Sequence, residues 1–287
     1  MKMNHTRQLI VIVVSIVLLC NIAQAELILS APPRESADKG RQTYAPVARY
    51  LEHILGEEVT YKHPGGWMEY SSNMRNGKYD IVFDGPHFAA WRMKHIDHVA
   101  IARLPGKLIF YVIAKRDDKR LNSIRRLNST KFCGLASPNL GTMTIYSYFE
   151  SSAIYPEIYE VKGGFKGVYK AFKEGKCRAA IVRDNIYKKL NEEEKRGIKI
   201  IYKSEPLPNQ TITVTKALFI RTKNLHSKLT TNESNKAGLE IFNRFSKKAK
   251  YFLQAQSKDY DEIEALLETS VWGGKELVIF SRATSIA

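Results

Sequence analysis

The sequence predicts an α/β protein of two lobes, each built on a doubly wound, mostly parallel sheet, with two hinge crossings between them. Short apolar runs alternate with stretches of helical spacing over residues 26–104, and the alternation restarts over 131–202. This pattern is typical of parallel sheets covered by helices. Two longer strand-like runs, 108–115 and 211–220, stand where the chain would leave the first unit and return to it.

The first unit opens with a strand at 26–31. The helix after it is indicated by apolar residues that share one face at helical spacing: Tyr44, Val47, Leu51 and Ile54. Its other elements are strands at 58–62, 79–83 and 98–104 and helices at 43–55, 68–76 and 86–93. Residues 74–92 combine a Gly-Lys turn, a buried strand and a Gly-Pro-His turn that starts a new helix. A strand that opens into a helix N-terminus presents free backbone N–H groups, and open α/β sheets bind small ligands there.

The second unit repeats this alternation. Its elements are strands at 131–137, 157–161, 179–182 and 198–202 and helices at 142–151, 167–174 and 184–191. Two C-terminal helices are predicted at 237–256 and 260–267. The first has an apolar stripe interpreted as core: Ile241, Phe242, Phe245, Ala249 and Phe252. We therefore expect one lobe to comprise residues 26–113 and 214–287, with the second lobe, 114–213, inserted into it.

The N-terminal segment predicts export. Lys2 and Arg7 precede an apolar run at 9–19, which is the length of a signal-peptide core and short for a membrane span. An Ala-Gln-Ala cleavage site ends the segment 1–25, so we expect a cleaved signal peptide and a periplasmic protein. Lipidation at Cys20 and a retained membrane anchor are the alternatives.

The charge balance is strongly basic. The chain has 45 Lys and Arg residues against 29 Asp and Glu, a formal net charge of +16. Such an excess favours nucleic acid, a membrane surface or an anionic ligand as the partner. Export and the scatter of the basic residues argue against nucleic acid. The excess is interpreted either as a solvated basic surface or as one that attracts anions.

Metal-binding and enzymatic chemistry are not indicated. His95 and His98 with nearby Met93 are metal-ligand types, but their spacing is loose and no second pair lies nearby. A Gly-x-Ser-x-Gly nucleophile elbow is absent from the sequence. We therefore expect no metal, no cofactor and no enzyme.

Two cysteines, Cys133 and Cys177, remain after the predicted cleavage. Each stands just before a short apolar strand, so neighbouring parallel strands would place both at the edge opposite the ligand edge. In an oxidising compartment this favours a structural disulfide. The alternative is a thiol pair that grips a soft ligand or senses redox state.

Several motifs, in this order and spacing, resemble the phosphate/phosphite/phosphonate-type periplasmic solute-binding proteins of ABC importers. The motifs are Glu35-Ser36, Tyr44-x-Pro46, Leu51, Trp67, Asn73-Met-Arg-x-Gly-Lys-Tyr-Asp-Ile-Val-x-x-Gly85, Phe132-Cys-Gly-x-x-x-Pro138-Asn139 and Lys203-Ser-Glu-Pro206-Leu-Pro208. The resemblance covers nearly the whole chain after the signal segment.

This resemblance implies a periplasmic binding protein fold, in which two lobes close over a small anionic or polar solute such as a phosphonate, phosphite or other oxyanion. It implies a monomer that is not an enzyme and that works with a membrane permease or a sensor kinase. Delivery to an ABC importer is the function we expect. The alternative is a sensory partner of a membrane histidine kinase that binds an inorganic oxyanion such as arsenite, with a cysteine involved.

The ligand loop departs from the family pattern. Phosphonate-binding members carry Ser-Thr-Ser-Gly after Pro-Asn, whereas this chain has Leu140-Gly141-Thr142-Met143. A histidine that the family uses in the next loop falls on or near Phe165. Apolar groups have therefore replaced most of the hydroxyls.

Candidate ligand-binding residues come from loops that follow the predicted strands. Tyr44 and Trp67 match aromatic positions of the family pocket, Arg34 suits a bidentate oxyanion contact, and His87 stands at a helix start. The full set is Arg34, Glu35, Tyr44, Trp67, Asp84, His87, Asn139, Thr142, Phe165 and Arg183.

Overall fold

The computed structural model describes residues 26–128, 130–149 and 152–268, together with Ser270 and Trp272. The predicted signal peptide and its two alternatives fall on segment 1–25, outside the described residues. Among the residues that are described, no helix is both long enough and apolar enough to span a membrane.

Strands and helices alternate along the described chain. The strands are β1 (Leu27–Ser30), β2 (Val59–Tyr61), β3 (Ile81–Asp84), β4 (His98–Arg103), β5 (Lys107–Leu108), β6 (Phe110–Lys115), β7 (Phe132–Gly134), β8 (Ile158–Glu160), β9 (Ala179–Arg183), β10 (Ile198–Lys203), β11 (Leu207–Pro208), β12 (Thr211–Thr215) and β13 (Leu253–Gln254). The helices are α1 (Ala37–Leu55), α2 (Trp67–Arg75), α3 (Pro86–His95), α4 (Leu140–Tyr146), α5 (Gly164–Lys173), α6 (Asp184–Tyr187), α7 (Glu192–Gly197), α8 (Lys216–Arg221), α9 (Leu225–Lys228), α10 (Asn232–Ala237), α11 (Leu239–Phe245) and α12 (Ala265–Glu268).

The first sheet has the strand order β13-β4-β12-β3-β1-β2. Strand β1 pairs in parallel with β2 and β3, whereas β12 and β13 run antiparallel to their neighbours. Side chains alternate between its faces, so that Leu29 and Phe83 enter one core while Ile28 and Val82 enter another. The sheet is therefore buried on both faces, as the doubly wound prediction requires.

The second sheet has the order β10-β6-β9-β7-β8. Strands β7, β8 and β9 are parallel, and β6 is antiparallel to both of its neighbours. The predicted fold class, two mostly parallel α/β units with two crossings, is confirmed. Each sheet also contains antiparallel strands: β12 and β13 in the first, and β6, which pairs with β10 and β9, in the second.

The crossings lie in a two-stranded ribbon formed by β5 and β11, which pair antiparallel. The Asn209 side-chain amide donates to the Pro105 carbonyl (2.9 Å), and this bond holds the two crossing segments together. The runs 108–115 and 211–220, predicted to span the hinge, do not do so. Strand β6 lies wholly in the second sheet and β12 in the first, so the boundaries expected at 113 and 213 fall inside strands.

The strand in the run 211–220 ends earlier than predicted, at Thr215, for a local reason. The Thr215 hydroxyl accepts a hydrogen bond from the Leu218 backbone N–H (3.4 Å) and caps α8, so the strand stops there. The long helix predicted at 237–256 is also wrong. Helix α11 stops at Phe245, and Leu253 pairs with Arg103 to complete the edge of the first sheet.

Cys133 and Cys177 form a disulfide, with their Cα atoms 5.6 Å apart. Cys133 lies in β7, and Cys177 stands just before β9, its parallel neighbour. The predicted bond is therefore present, and it leaves neither thiol free for a soft ligand.

Candidate functional site

The lobes meet where strands β3 and β7 end. After β3, Gly85 leads into α3, and after β7 the loop through Pro138 leads into α4. The His87 Nε2–H of the first lobe donates to the Pro138 carbonyl of the second lobe (3.0 Å). This edge, where parallel strands end in helix starts, is the position of ligand sites in open α/β sheets.

Arg34 lies in the loop after β1 and stands between two aromatic rings. Its guanidinium carbon is 5.9 Å from the ring centre of Trp67 and 5.9 Å from that of Phe245. The Nη1 atom is buried without a hydrogen-bond partner in the described chain. The rings hold the cation through cation–π contacts while its donors stay available for an anion.

Tyr44 lies beneath this loop on α1, whose N-terminus is capped by Ser36. Its ring packs 5.1 Å from Tyr61 and 5.8 Å from Phe83, and its hydroxyl is buried without a described partner. Burial raises the pKa of Tyr44 well above its usual value, so the hydroxyl stays neutral. It is a potential hydrogen-bond donor beside Arg34.

The carboxylate of Asp84 is committed to the protein interior. Arg92 donates to both of its oxygens, Nη1 to Oδ2 at 2.7 Å and Nη2 to Oδ1 at 2.8 Å, and the Tyr70 hydroxyl also donates to Oδ2. Arg92 reaches Thr213 Oγ1 as well, through Nε (3.1 Å) and Nη2 (2.9 Å). Asp84 was expected to contact the ligand. In the structure, both of its carboxylate oxygens accept hydrogen bonds from Arg92 instead.

The Glu35 carboxylate, like that of Asp84, accepts a hydrogen bond from an arginine of the protein. Its Oε1 accepts from Arg244 Nε at 2.8 Å, and its backbone carbonyl lies 3.0 Å from His63 Nε2. The side chain therefore fixes the loop that carries Arg34, rather than presenting a free carboxylate.

His87 is buried, with only 1% of its surface exposed. Burial lowers the pKa of His87 to about 4, so the ring is neutral near pH 7. While Nε2 serves the Pro138 carbonyl, Nδ1 is buried with no partner in the described part of the chain. His87 thus joins the two lobes through Nε2, and its Nδ1 is a buried atom without a described hydrogen-bond partner.

Arg183 ends strand β9 at the corresponding edge of the second sheet. Its guanidinium carbon is 6.0 Å from the ring centre of Phe110, the residue with which it pairs across the sheet. Its Nε is buried without a described partner, and burial lowers the pKa of Arg183. Each lobe thus presents an arginine with an unsatisfied buried nitrogen.

The loop before α4 satisfies its own polar groups. Asn139 Oδ1 accepts from the Gly141 N–H (3.0 Å), and Thr142 Oγ1 donates to the Leu135 carbonyl (2.6 Å). A Cβ on Gly141 would stand 3.0 Å from the Phe110 ring, so this ring closes over the helix start. Phe165 packs on the same ring at 5.8 Å between centres. These predicted residues shape the loop and offer few free polar groups.

The residues that sequence reasoning missed are Phe110, Phe245 and Pro138. Phe245 was recognised only as part of an apolar stripe, and Phe110 only as part of a strand. An aromatic ring directly beneath an arginine has no sequence signature when the two are distant in the chain.

The two histidines weighed as metal ligands have different partners in the structure. His95 Nε2 lies 3.0 Å from Glu268, and His98 Nδ1 lies 3.2 Å from Thr213. Within the described residues, no group of three or more His, Cys, Asp or Glu side chains could hold a metal.

Two lobes whose strand ends face each other across a hinge define the class of hinged solute-binding proteins. A family model described as the periplasmic substrate-binding protein of phosphonate ABC transporters matches residues 29–260. The chain belongs to this family, and the resemblance drawn from the sequence motifs is confirmed. It is a periplasmic-type substrate-binding protein of an ABC importer.

Solved structures of related fold agree. PhnD1 of Prochlorococcus marinus, solved with methylphosphonate, is 18% identical, with a TM-score of 0.57 over 84% of this chain and 96% of that one. XAC2383 of Xanthomonas citri, bound to ATP, is 12% identical, with a TM-score of 0.61 over 84% and 95%. A binding component of a Pseudomonas aeruginosa ABC phosphonate transporter is 15% identical, with a TM-score of 0.52 over 85% of both chains. The TM-scores show a shared fold. Among curated proteins, no sequence matches this chain.

Proposed function

We propose that this protein captures a phosphonate or a closely related small oxyanion between its lobes and delivers it to an ABC permease. The observation that carries the proposal is the pair Arg34 and Arg183. Arg34 follows β1 and Arg183 ends β9, so the two lie at the ligand edges of different sheets. Each guanidinium contacts at least one aromatic ring and has a buried nitrogen without a described partner. A bound oxyanion would satisfy both cations.

Closure follows from the same contacts. A ligand that touches both arginines binds the closed form better than the open form, so it shifts the population toward closure. Tyr44, Trp67 and His87 would complete the site on the first lobe. In this proposal, guanidinium groups replace the hydroxyl-rich loop that other family members place after Pro-Asn.

Other parts of the proposal rest on sequence and family. We infer that the chain is exported with cleavage after residue 25, acts as a monomer and is not an enzyme. The two units are proposed to move as lobes about the β5–β11 ribbon, with their boundaries moved from 113 and 213 to that ribbon so that β6 and β12 each stay whole. Cys133 and Cys177 are bonded to each other, so neither has a free thiol that could bind arsenite. No second function is proposed.

Calorimetry with methylphosphonate, phosphite, phosphate and sulfate tests the proposal. We expect at least one phosphorus oxyanion to bind and to raise the melting temperature. Arg34→Gln and Arg183→Gln should each weaken its binding about ten- to a hundredfold, since a charged hydrogen bond contributes about 1.5–3 kcal/mol.

Arg41→Gln is the matched control, because Arg41 contacts Asp38 on the exposed face of α1. It should bind like the wild type. Unchanged affinity in both Arg34→Gln and Arg183→Gln would contradict the proposed site.

A further inference from the structure

One ring nitrogen of His87, Nδ1, is buried at the lobe interface without a described hydrogen-bond partner. The Pro138 carbonyl can only accept a hydrogen bond, so the nitrogen that faces it, Nε2, carries the hydrogen. In a neutral imidazole the other nitrogen, Nδ1, then has a lone pair and no hydrogen. This buried acceptor has no described partner, and leaving a buried acceptor unsatisfied is unfavourable.

Arg34 and His87 border the same space beside Gly85. A Cβ on Gly85 would stand 2.9 Å from His87 Nδ1 and 3.7 Å from Arg34 Nη2. The absence of a side chain on Gly85 therefore lets the imidazole approach the backbone, and both nitrogens lie within 4 Å of the point where a Cβ would be. A solute bound by Arg34 Nη2 would therefore lie near His87 Nδ1.

The other charged groups near His87 do not satisfy Nδ1. Asp84 and Arg92 act on the ring through their charges but are bonded to each other. Across the interface, the contact is the Pro138 carbonyl, which serves Nε2. Arg34 is the remaining charge that acts on the ring, and its Nη1 is itself unpartnered. The site thus offers one cationic donor and one neutral acceptor.

We propose that His87 Nδ1 accepts a hydrogen bond from the P–OH group of a monoprotonated phosphorus oxyanion, while Arg34 binds its charged oxygens. The inference rests on the proposed oxyanion site and specifies the form of the ligand. A hydrogen phosphonate monoanion supplies both an anionic oxygen and a hydrogen. A sulfonate of the same shape and charge supplies only the oxygens, so it leaves the lone pair of His87 unsatisfied.

The test compares methylphosphonate with methanesulfonate by calorimetry on the mature protein. At pH 6 we expect methylphosphonate to bind at least about tenfold more tightly, the effect of one hydrogen bond to a buried acceptor. As pH rises through the second ionisation of methylphosphonate, its affinity should fall, while that of methanesulfonate should stay constant over the same range.

His87→Leu is the informative variant, because leucine is of similar size and has no hydrogen-bond acceptor. It also loses the contact with Pro138, but this loss affects both ligands and cancels in the ratio of their affinities. We expect the preference for methylphosphonate over methanesulfonate to fall about tenfold, toward equal affinity. Arg41→Gln is the control and should keep the wild-type preference. The wild-type pH profile needs no variant, so the test stands even if His87→Leu folds poorly.

The possible failures are distinguishable. If wild-type protein binds neither methylphosphonate nor any other phosphorus oxyanion, the proposed function is wrong. If methylphosphonate binds but shows no preference over methanesulfonate at pH 6, or if folded His87→Leu retains the preference, the role of His87 is wrong and the oxyanion site stands.

Discussion

Asp84 shows how a single residue at the ligand edge can serve the scaffold. Its carboxylate and the Arg92 guanidinium are both fully buried and form a bidentate pair, which Tyr70 and Thr213 complete. Burying two charges is costly, and the pair is tolerated because each charge is neutralised and hydrogen-bonded. The network fixes the end of β3 directly before Gly85 and His87.

We predict that Asp84→Asn lowers the free energy of unfolding by about 3–5 kcal/mol, because it leaves the Arg92 charge buried without a counter-ion. Urea denaturation measures this change. Asp38→Asn is the control, since the Asp38–Arg41 pair is largely exposed and should cost less than about 1 kcal/mol. Equal effects of the two substitutions would show that the buried pair does not stabilise β3.

At the scale of elements, the disulfide links β7 to the segment that leads into β9. The bonded cysteines are 44 residues apart in sequence, and the intervening chain contains α4, β8 and α5. A bond that closes a loop of this length restricts the unfolded chain strongly. It stabilises the second sheet at the strands that lead to the ligand edge.

Reduction of this bond should lower the free energy of unfolding by about 4 kcal/mol, the loop-entropy value for this separation. Denaturation midpoints with and without reductant measure the effect. The double variant Cys133→Ala/Cys177→Ala should match the reduced protein and should not respond to reductant. A wild-type midpoint that reductant leaves unchanged would be incompatible with this account.

At the scale of the whole molecule, the lobes share apolar as well as polar contacts. Met143, on α4 of the second lobe, is buried in a cluster with Tyr70, Met74 and Trp91 of the first lobe. Helix α12 packs against both α3 and α4. The closed arrangement is therefore stabilised by burial of apolar surface in addition to the His87–Pro138 hydrogen bond.

Met143→Ala should shift the equilibrium toward the open form and weaken oxyanion binding about three- to thirtyfold, because fewer molecules are in the binding-competent state. Calorimetry measures the affinity, and small-angle X-ray scattering should show a larger radius of gyration. Leu140→Ala is the matched control, since Leu140 is on the same helix but is buried within the core of the second lobe.

Leu140→Ala should reduce stability without changing affinity. If both variants weaken binding to the same extent, the effect comes from damage to α4 and not from lobe closure.

How far the sequence predicted this protein depends on the range of the interactions involved. Strand β3 and helix α3 lie within a few residues of their predicted positions because hydrophobic periodicity and the Gly-Pro helix start are local signals. The ends of β12 and α11 differ from the prediction because a threonine cap and a distant sheet edge decided them.

The sequence by itself determined the fold class and the family motifs, since these follow from periodicity and order. It favoured the pairing of Cys133 with Cys177, which the structure then decided. Only the tertiary structure decided which side chains are available at the ligand edge. Asp84 and His87 are three residues apart and were equivalent candidates in the sequence. In the structure the Asp84 carboxylate is paired with Arg92, whereas His87 Nδ1 has no described hydrogen-bond partner. The physical reason is that availability depends on hydrogen-bond partners brought together from distant parts of the chain, which no local pattern records.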